Sequence, residues 1–157
     1  MKFKAIDIIC VGKLKTVYWR QAAEHYLGLL LKWRTVSVRE TRDGDSALPP
    51  PERRLQEYKF MERSFESGQY RIGLHDRGQA FTSEGFAAFL RRMDERESRR
   101  LTFILGGPFG LPKEALDACD ALLSLSAFTF PHEMARVLLL EQLFRAEAIN
   151  RNFPYHH

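Results

Sequence analysis

The stretch LTFILGGPFGLPKEALDACDALLSLSAFTFPHEMARVLLLEQLFRAEAINRNFPYHH, residues 101–157, decides the fold. It opens on an apolar run, residues 101–105, which reads as a strand and passes directly into the glycine turn Gly106-Gly107-Pro108-Phe109-Gly110. A second apolar segment, residues 122–130, ends at Pro131, and a long amphipathic helix is expected over residues 131–150. The residue before a proline is pushed out of the helical region, so Phe130 should be extended, while Pro131 suits the first turn of a helix. The chain closes on an aromatic and imidazole tail, Pro154-Tyr155-His156-His157. Glycine turns at strand ends let a backbone approach a small ligand closely. The pattern points to a ligand pocket with a reactive rim.

Working outward, residues 3–11 alternate and then run apolar, with β-branched Ile6, Ile8, Ile9 and Val11, and read as a buried strand ending at Gly12. Trp19, Ala22, Ala23, Tyr26, Leu27, Leu30 and Trp33 recur at helical spacing, with Thr16 as the expected cap. Residues 35–38 form a short strand candidate. Residues 42–51 read as a loop, because Asp43-Gly44 is a turn pair and Pro49-Pro50-Pro51 cannot continue a ladder. Residues 52–66 read as an exposed helix and residues 70–74 as a strand, followed by a turn at His75-Asp76-Arg77-Gly78. Ser83 with Glu84 starts another helix, to residue 97. A short helix near residues 113–119 and a strand at residues 122–125 complete the alternation. Strands alternating with helices predict an α/β domain with a mainly parallel sheet and helices on both faces. A single domain over residues 1–157 is expected at this length.

The charge balance is mild: 24 Lys and Arg against 20 Asp and Glu, a formal +4. That raises the odds of an anionic partner only modestly. The two cysteines, Cys10 and Cys119, belong to no Cys-x-x-Cys pair, so reduced core thiols are expected rather than a disulfide or zinc site. No run approaches the ~18 apolar residues of a membrane span. The opening MKFKAIDIIC lacks the features of a secretory signal, so a cytoplasmic location is expected.

The glycine turn is no Walker loop, since no Lys-Ser or Lys-Thr follows it, and it is no GxGxxG motif. Two readings stay open from its residues alone: a tight turn that needs glycine for a positive φ, or backbone amides presented to a nucleoside-like ligand. Residues 125–130 likewise read either as an ordinary connection or as a second ligand-facing loop, with small Ser126 and Ala127 allowing close approach. His132 and Arg136 share a helical face, and a solvated position is the default for Arg136. Arg145, between Phe144 and Ala146, is expected to be partly buried at an interface. His156 titrates near neutrality and suits proton removal or holding a base.

GGPFG at residues 106–110, then LSLSAFTFPHEMARVLLLEQLFRA, then the terminal NFPYHH closely resemble the small ribosomal RNA methyltransferases of the SPOUT superfamily known as RlmH, which methylate N3 of a pseudouridine in 23S rRNA. The resemblance spans essentially the whole chain and includes the opening strand ending in Val-Gly and the GLHDRG segment at residues 73–78. It implies a SPOUT-type α/β knot, in which the C-terminal segment forms a trefoil. It implies S-adenosylmethionine held by Leu74, Gly106, Leu125, Ser126, Ala127, Phe128, Thr129 and Phe130. It also implies a homodimer in which the partner's tail completes each pocket, and a substrate in the assembled ribosome. No metal is implied, and none is suggested by ligand spacing. The family tail often carries a basic residue after Pro-Tyr-His, where this chain has His157.

On that resemblance, His156 is nominated to remove the N3 proton, Tyr155 to position or stack on the base, and Arg145 as an electrostatic partner. Two arginine groups are candidates for bridging rRNA: Arg91, Arg92, Arg96, Arg99 and Arg100, and Arg34, Arg39 and Arg42. A β-branched side chain at Gly106 is expected to obstruct the cofactor. Three rival readings are a SPOUT enzyme acting on another rRNA base or on tRNA, a non-catalytic ribosome-binding dimer, and a nucleotide-dependent α/β enzyme. The missing Walker lysine counts against the last.

Overall fold

The computed structural model describes residues 3–155. Its strands are β1 (Ile6–Val11), β2 (Val36–Thr41), β3 (Gln69–Ala80), β4 (Arg100–Leu105) and β5 (Ala121–Ser124). Its helices are α1 (Val17–Leu30), α2 (Pro50–Glu62), α3 (Ser83–Arg96), α4 (Lys113–Asp117) and α5 (His132–Asn150). The strands form one five-stranded sheet in the order β2-β1-β4-β3-β5, and each neighbouring pair runs parallel. The alternation in the sequence therefore folds as the α/β reading requires.

β1 is buried at every position and β4 at all but Arg100, the pattern of strands covered on both faces. On one face α1, α3 and α5 pack over Ile6, Ile8, Phe103 and Leu105. On the other, Tyr58 and Met61 of α2 and Ala115 of α4 cover Ile9, Val11 and Ile104. Cys10 is buried and Cys119 half-buried, both as free thiols. Burial pushes each up to about 11, so neither is a ready nucleophile at neutral pH.

Three local expectations change. Residues 75–78 do not end their strand in a turn. β3 continues to Ala80, and its ladder with β5 slips, so that Leu123 pairs with Leu74 and again with Gln79. The backbone of Leu122 and Leu123 comes so close that a Cβ at Gly78 would lie 2.7 Å from it. Residues 75–78 themselves make no ladder pair with β5: they form the excursion between the two pairings of Leu123, and the Arg77 amide donates to His75 Nδ1 at 3.1 Å. α2 is not an exposed helix, because Glu57, Tyr58 and Met61 are buried. Thr16 makes no cap bond within α1; its hydroxyl donates to Glu133 Oε2 at 2.8 Å. α3 starts at Ser83 as expected, and its cap is Thr82, whose hydroxyl accepts from the Gly85 amide at 3.0 Å.

The chain's ends and middle are joined by a buried ionic cluster. Arg34, in the connection between α1 and β2, donates through Nη1 and Nη2 to both oxygens of Asp94 at 2.9 and 2.6 Å, and through Nε to Glu147 at 2.5 Å. It also donates to the Lys4 carbonyl at 2.9 Å. These side chains are essentially inaccessible to solvent. Burial opposes the guanidinium charge, but the bonds and charges of Asp94 and Glu147 outweigh it and raise its pKa. Arg34 is therefore a structural ion, not a free contact for rRNA. Removing one member of a buried pair leaves the other uncompensated. Asp94→Ala is expected to lower unfolding free energy by about 3–5 kcal/mol, measured by urea denaturation at fixed protein concentration.

Candidate active site

The carboxyl ends of β4, β3 and β5 lie side by side, and the segments leaving them enclose a cavity of about 350 Å³. Open α/β sheets bind ligands at this edge. Leu74, His75 and Asp76 come from β3, Gly106 to Gly110 from the turn after β4, and Leu125, Ser126, Phe128, Thr129 and Phe130 from the connection between β5 and α5. His132 and Ala135 close one wall from the first turns of α5, and Arg54 of α2 reaches another.

The glycine turn folds back on itself. The Gly110 amide donates to the Gly107 carbonyl at 3.0 Å. A Cβ on Gly106 would sit 2.3 Å from the Gly110 carbonyl carbon. Gly106 is thus required by the turn's own closure, and Gly106→Val would disrupt the protein before testing any ligand contact. Only Gly110 of this turn has a positive φ, +77°. Behind the turn, a Cβ on Gly107 would meet Glu57 Oε2 at 2.7 Å. The other oxygen of Glu57 accepts from the Gly44 amide at 3.1 Å and from Arg53 Nε at 3.0 Å. Arg53 in turn lies 5.6 Å from the centre of the Phe109 ring. α2 therefore braces the turn, a role that its charged sequence conceals.

The second loop is held by two serines. Ser124 Oγ donates to the Ser126 carbonyl at 3.0 Å, and Ser126 Oγ accepts from the Phe128 amide at 3.0 Å. Phe128 is left 80% exposed. Glu133 anchors the start of α5 to the start of α1 by accepting from the Lys15 and Thr16 amides and the Thr16 hydroxyl. Burial opposes its charge, but these bonds outweigh burial and hold its pKa below the ordinary 4.5. His132 is lowered, chiefly by burial, and faces the cavity as a neutral imidazole at neutral pH.

Of the expected cofactor contacts, Leu74, Gly106, Leu125, Ser126, Phe128, Thr129 and Phe130 line the one cavity, and Ala127 does not. Arg136 is buried, contrary to the solvated default. It donates to the Gly12 carbonyl at 2.7 Å and to Glu40 at 2.6 Å, satisfying carbonyls at the end of β1. Tyr155 and Arg145 meet each other but not the cavity of their own chain. Arg145 donates to Glu141 at 2.6 and 2.9 Å and lies 5.0 Å from the Tyr155 ring centre. The Tyr155 hydroxyl donates to Glu141 at 3.3 Å, and its ring packs edge-on against Phe144. Burial, first, pushes its pKa up to about 12, so it remains a hydrogen-bond donor. His156 and His157 lie outside the described residues. Among the described residues no cluster of His, Cys, Asp and Glu could hold a metal ion, and no helix is long and apolar enough to cross a membrane.

Sequence reasoning gave no role to Arg54, His75 or Asp76 on the cavity wall, and it placed His132 only on a shared helical face with Arg136. Only the position of His75 and Asp76 directly after Leu74 offered a signal.

Comparison with known proteins agrees with this geometry. The predicted SPOUT methyltransferase family model matches residues 4–156. A protein named ribosomal RNA large subunit methyltransferase H from Oleidesulfovibrio alaskensis is 47% identical over 98% of this chain and 99% of its own. One of the same name from Desulfovibrio desulfuricans is 43% identical over the full length of both. Among solved structures, a probable methyltransferase from Bordetella pertussis superposes with a TM-score of 0.53 at 14% identity, covering 92% of this chain and 96% of its own. A probable methylase family protein from Haemophilus influenzae gives 0.56 at 15%, covering 94% and 68%. These two likenesses bear on the fold alone.

Two predictions follow from the cavity's supports. Gly106→Ala is expected to cost about 3 kcal/mol, because backbone must move, whereas Gly110→Asn costs about 1 kcal/mol or less, Asn being tolerated at positive φ; denaturation of each variant decides. Glu133 has a lowered pKa when folded, so its stabilisation is fully present above pH 4.5 and is lost as pH falls through the lowered value. Glu133→Gln should therefore flatten the acid side of a plot of melting temperature against pH.

Proposed function

The chain belongs to the SPOUT methyltransferase family, and on that premise we propose that it transfers the methyl group of S-adenosylmethionine to N3 of a pseudouridine in 23S rRNA of the assembled ribosome. One observation carries the reading. Leu74, Gly106 and Ser126, which lie far apart in sequence, line a single cavity at the carboxyl ends of three adjacent strands.

The cavity suits such a ligand. Leu74, Leu105 and Leu123 give apolar wall for a nucleoside base, and Thr129 adds a hydroxyl. Arg54 has a buried Nε with no hydrogen-bond partner among the described residues. The chemistry S-adenosylmethionine brings is an electrophilic sulfonium methyl carbon. The protein's task is alignment, with reacting atoms about 3–3.5 Å apart, and removal of the N3 proton. A positioned base is worth roughly 10²–10⁴-fold in rate, and His156 is our nominee. Tyr155, held protonated, donates a hydrogen bond or stacks on the base; Arg145 balances negative charge at N3.

Because Tyr155 and Arg145 do not line the cavity of their own chain, the reading requires a homodimer in which each tail serves the partner's cavity. It also includes the family's trefoil knot.

Calorimetric titration should show S-adenosylmethionine binding, and purified ribosomes carrying the pseudouridine should be methylated. Absence of binding by the folded protein would overturn the proposal. The shared site has its own test. A cavity-blocked variant, Ser126→Trp, and a tail variant, Arg145→Ala with Tyr155→Ala, should each be inactive. Mixed one to one, with exchange, they should regain about a quarter of wild-type activity, since half the dimers then hold one intact site. No recovery would argue against a composite site.

A further inference from the structure

Among the described residues, Arg54 is the only lysine or arginine on the cavity wall. It rises from α2, and its Nη1 donates to the Phe109 carbonyl at 3.4 Å, a long bond that leaves most of the guanidinium unused. Its Nε is buried and has no partner among the described residues. The neighbouring arginine, Arg53, is by contrast committed to Glu57 and Phe109. A buried N–H without an acceptor is costly, and the cost is relieved when a ligand supplies one. The Nε edge of a guanidinium presents two parallel N–H groups, a geometry matched to a carboxylate.

We propose that Arg54 binds the carboxylate of the amino-acid end of the methyl donor and so fixes which way the donor lies in the cavity. This rests on the methyltransferase reading above. The carboxylate is the one anionic group that S-adenosylmethionine carries. Its sulfonium is cationic and is repelled by the same guanidinium, so a single arginine both attracts one end and keeps the reactive centre away from α2. The anionic side chain on the wall, Asp76, belongs to β3 and not to α2, which adds to that polarity. The brace that holds the glycine turn thus also supplies the turn's one cationic neighbour on the cavity.

The test compares two stable thioether nucleosides that differ at the amino-acid end. S-adenosylhomocysteine has the carboxylate; 5′-methylthioadenosine does not. Arg54→Met is expected to weaken S-adenosylhomocysteine binding by about 10- to 100-fold, as for loss of a charged hydrogen bond, and to leave 5′-methylthioadenosine binding unchanged. Arg54→Gln carries the same expectation should the Met variant fail to fold. Equal weakening of both ligands would overturn the proposal, since Arg54 would then act through the Phe109 carbonyl and the turn. Unchanged binding of both would overturn it as well. If the wild-type protein bound neither ligand, the methyltransferase reading itself would fall, a result distinct from either failure of Arg54.

Discussion

Backbone lies against backbone at two points in this protein, and the cavity exists because no side chain intervenes. At Gly106 the chain turns back so tightly that a methyl group would sit 2.3 Å from the Gly110 carbonyl carbon. At Gly78 the bulged part of β3 meets the backbone of β5 so closely that a Cβ would clash with it at 2.7 Å. The first contact shapes the turn after β4. The second holds β5, and hence the loop leading to α5, beside β3. Glycine costs conformational entropy in the unfolded chain, and here that cost allows three strand ends to share one ligand-sized space.

Charge plays a supporting part that composition alone conceals. Arg34, Arg136 and Glu57 are all buried, and each satisfies groups from distant segments: Asp94 and Glu147, the carbonyl of Gly12, the amide of Gly44. For Arg34 the partners are complete, which offsets the cost of burying its charge, whereas Glu57 is satisfied through Oε1 alone. Several surface arginines are also paired, among them Arg39 with Glu66 and Arg99 with Glu97 and Asp120. The excess of +4 therefore does not describe a uniformly basic surface. Arg54 differs in lining the cavity while its buried Nε has no hydrogen-bond partner among the described residues.

Periodicity was enough to identify each strand and each helix, with boundaries displaced by a few residues. Local windows failed where the deciding partner was remote. Residues 75–78 carry turn residues and make no pair with β5, yet the strand resumes beyond them at Gln79 because Leu123, more than forty positions away, offers a partner. Arg136 sits on a helix that looks amphipathic, yet it is buried because the end of β1 presents bare carbonyls to it. Thr16 looks like a cap, yet its hydroxyl is taken by Glu133, more than a hundred positions away.

By itself the sequence determined the alternation of strands and helices, the parallel sheet, the two glycine- and serine-bearing loops, and a family resemblance carried chiefly by residues 106–110, 123–146 and 152–157. Those are properties of short-range pattern, since a strand's burial and a turn's glycine are written in adjacent residues. Only the tertiary structure decided that Leu74, Gly106 and Phe130 surround one cavity, that α2 braces it through Glu57 and reaches it through Arg54, and that Tyr155 and Arg145 do not line it. The physical reason is the crossover order β2-β1-β4-β3-β5. It brings together segments whose separation along the chain is far longer than any repeat of three or four residues can encode.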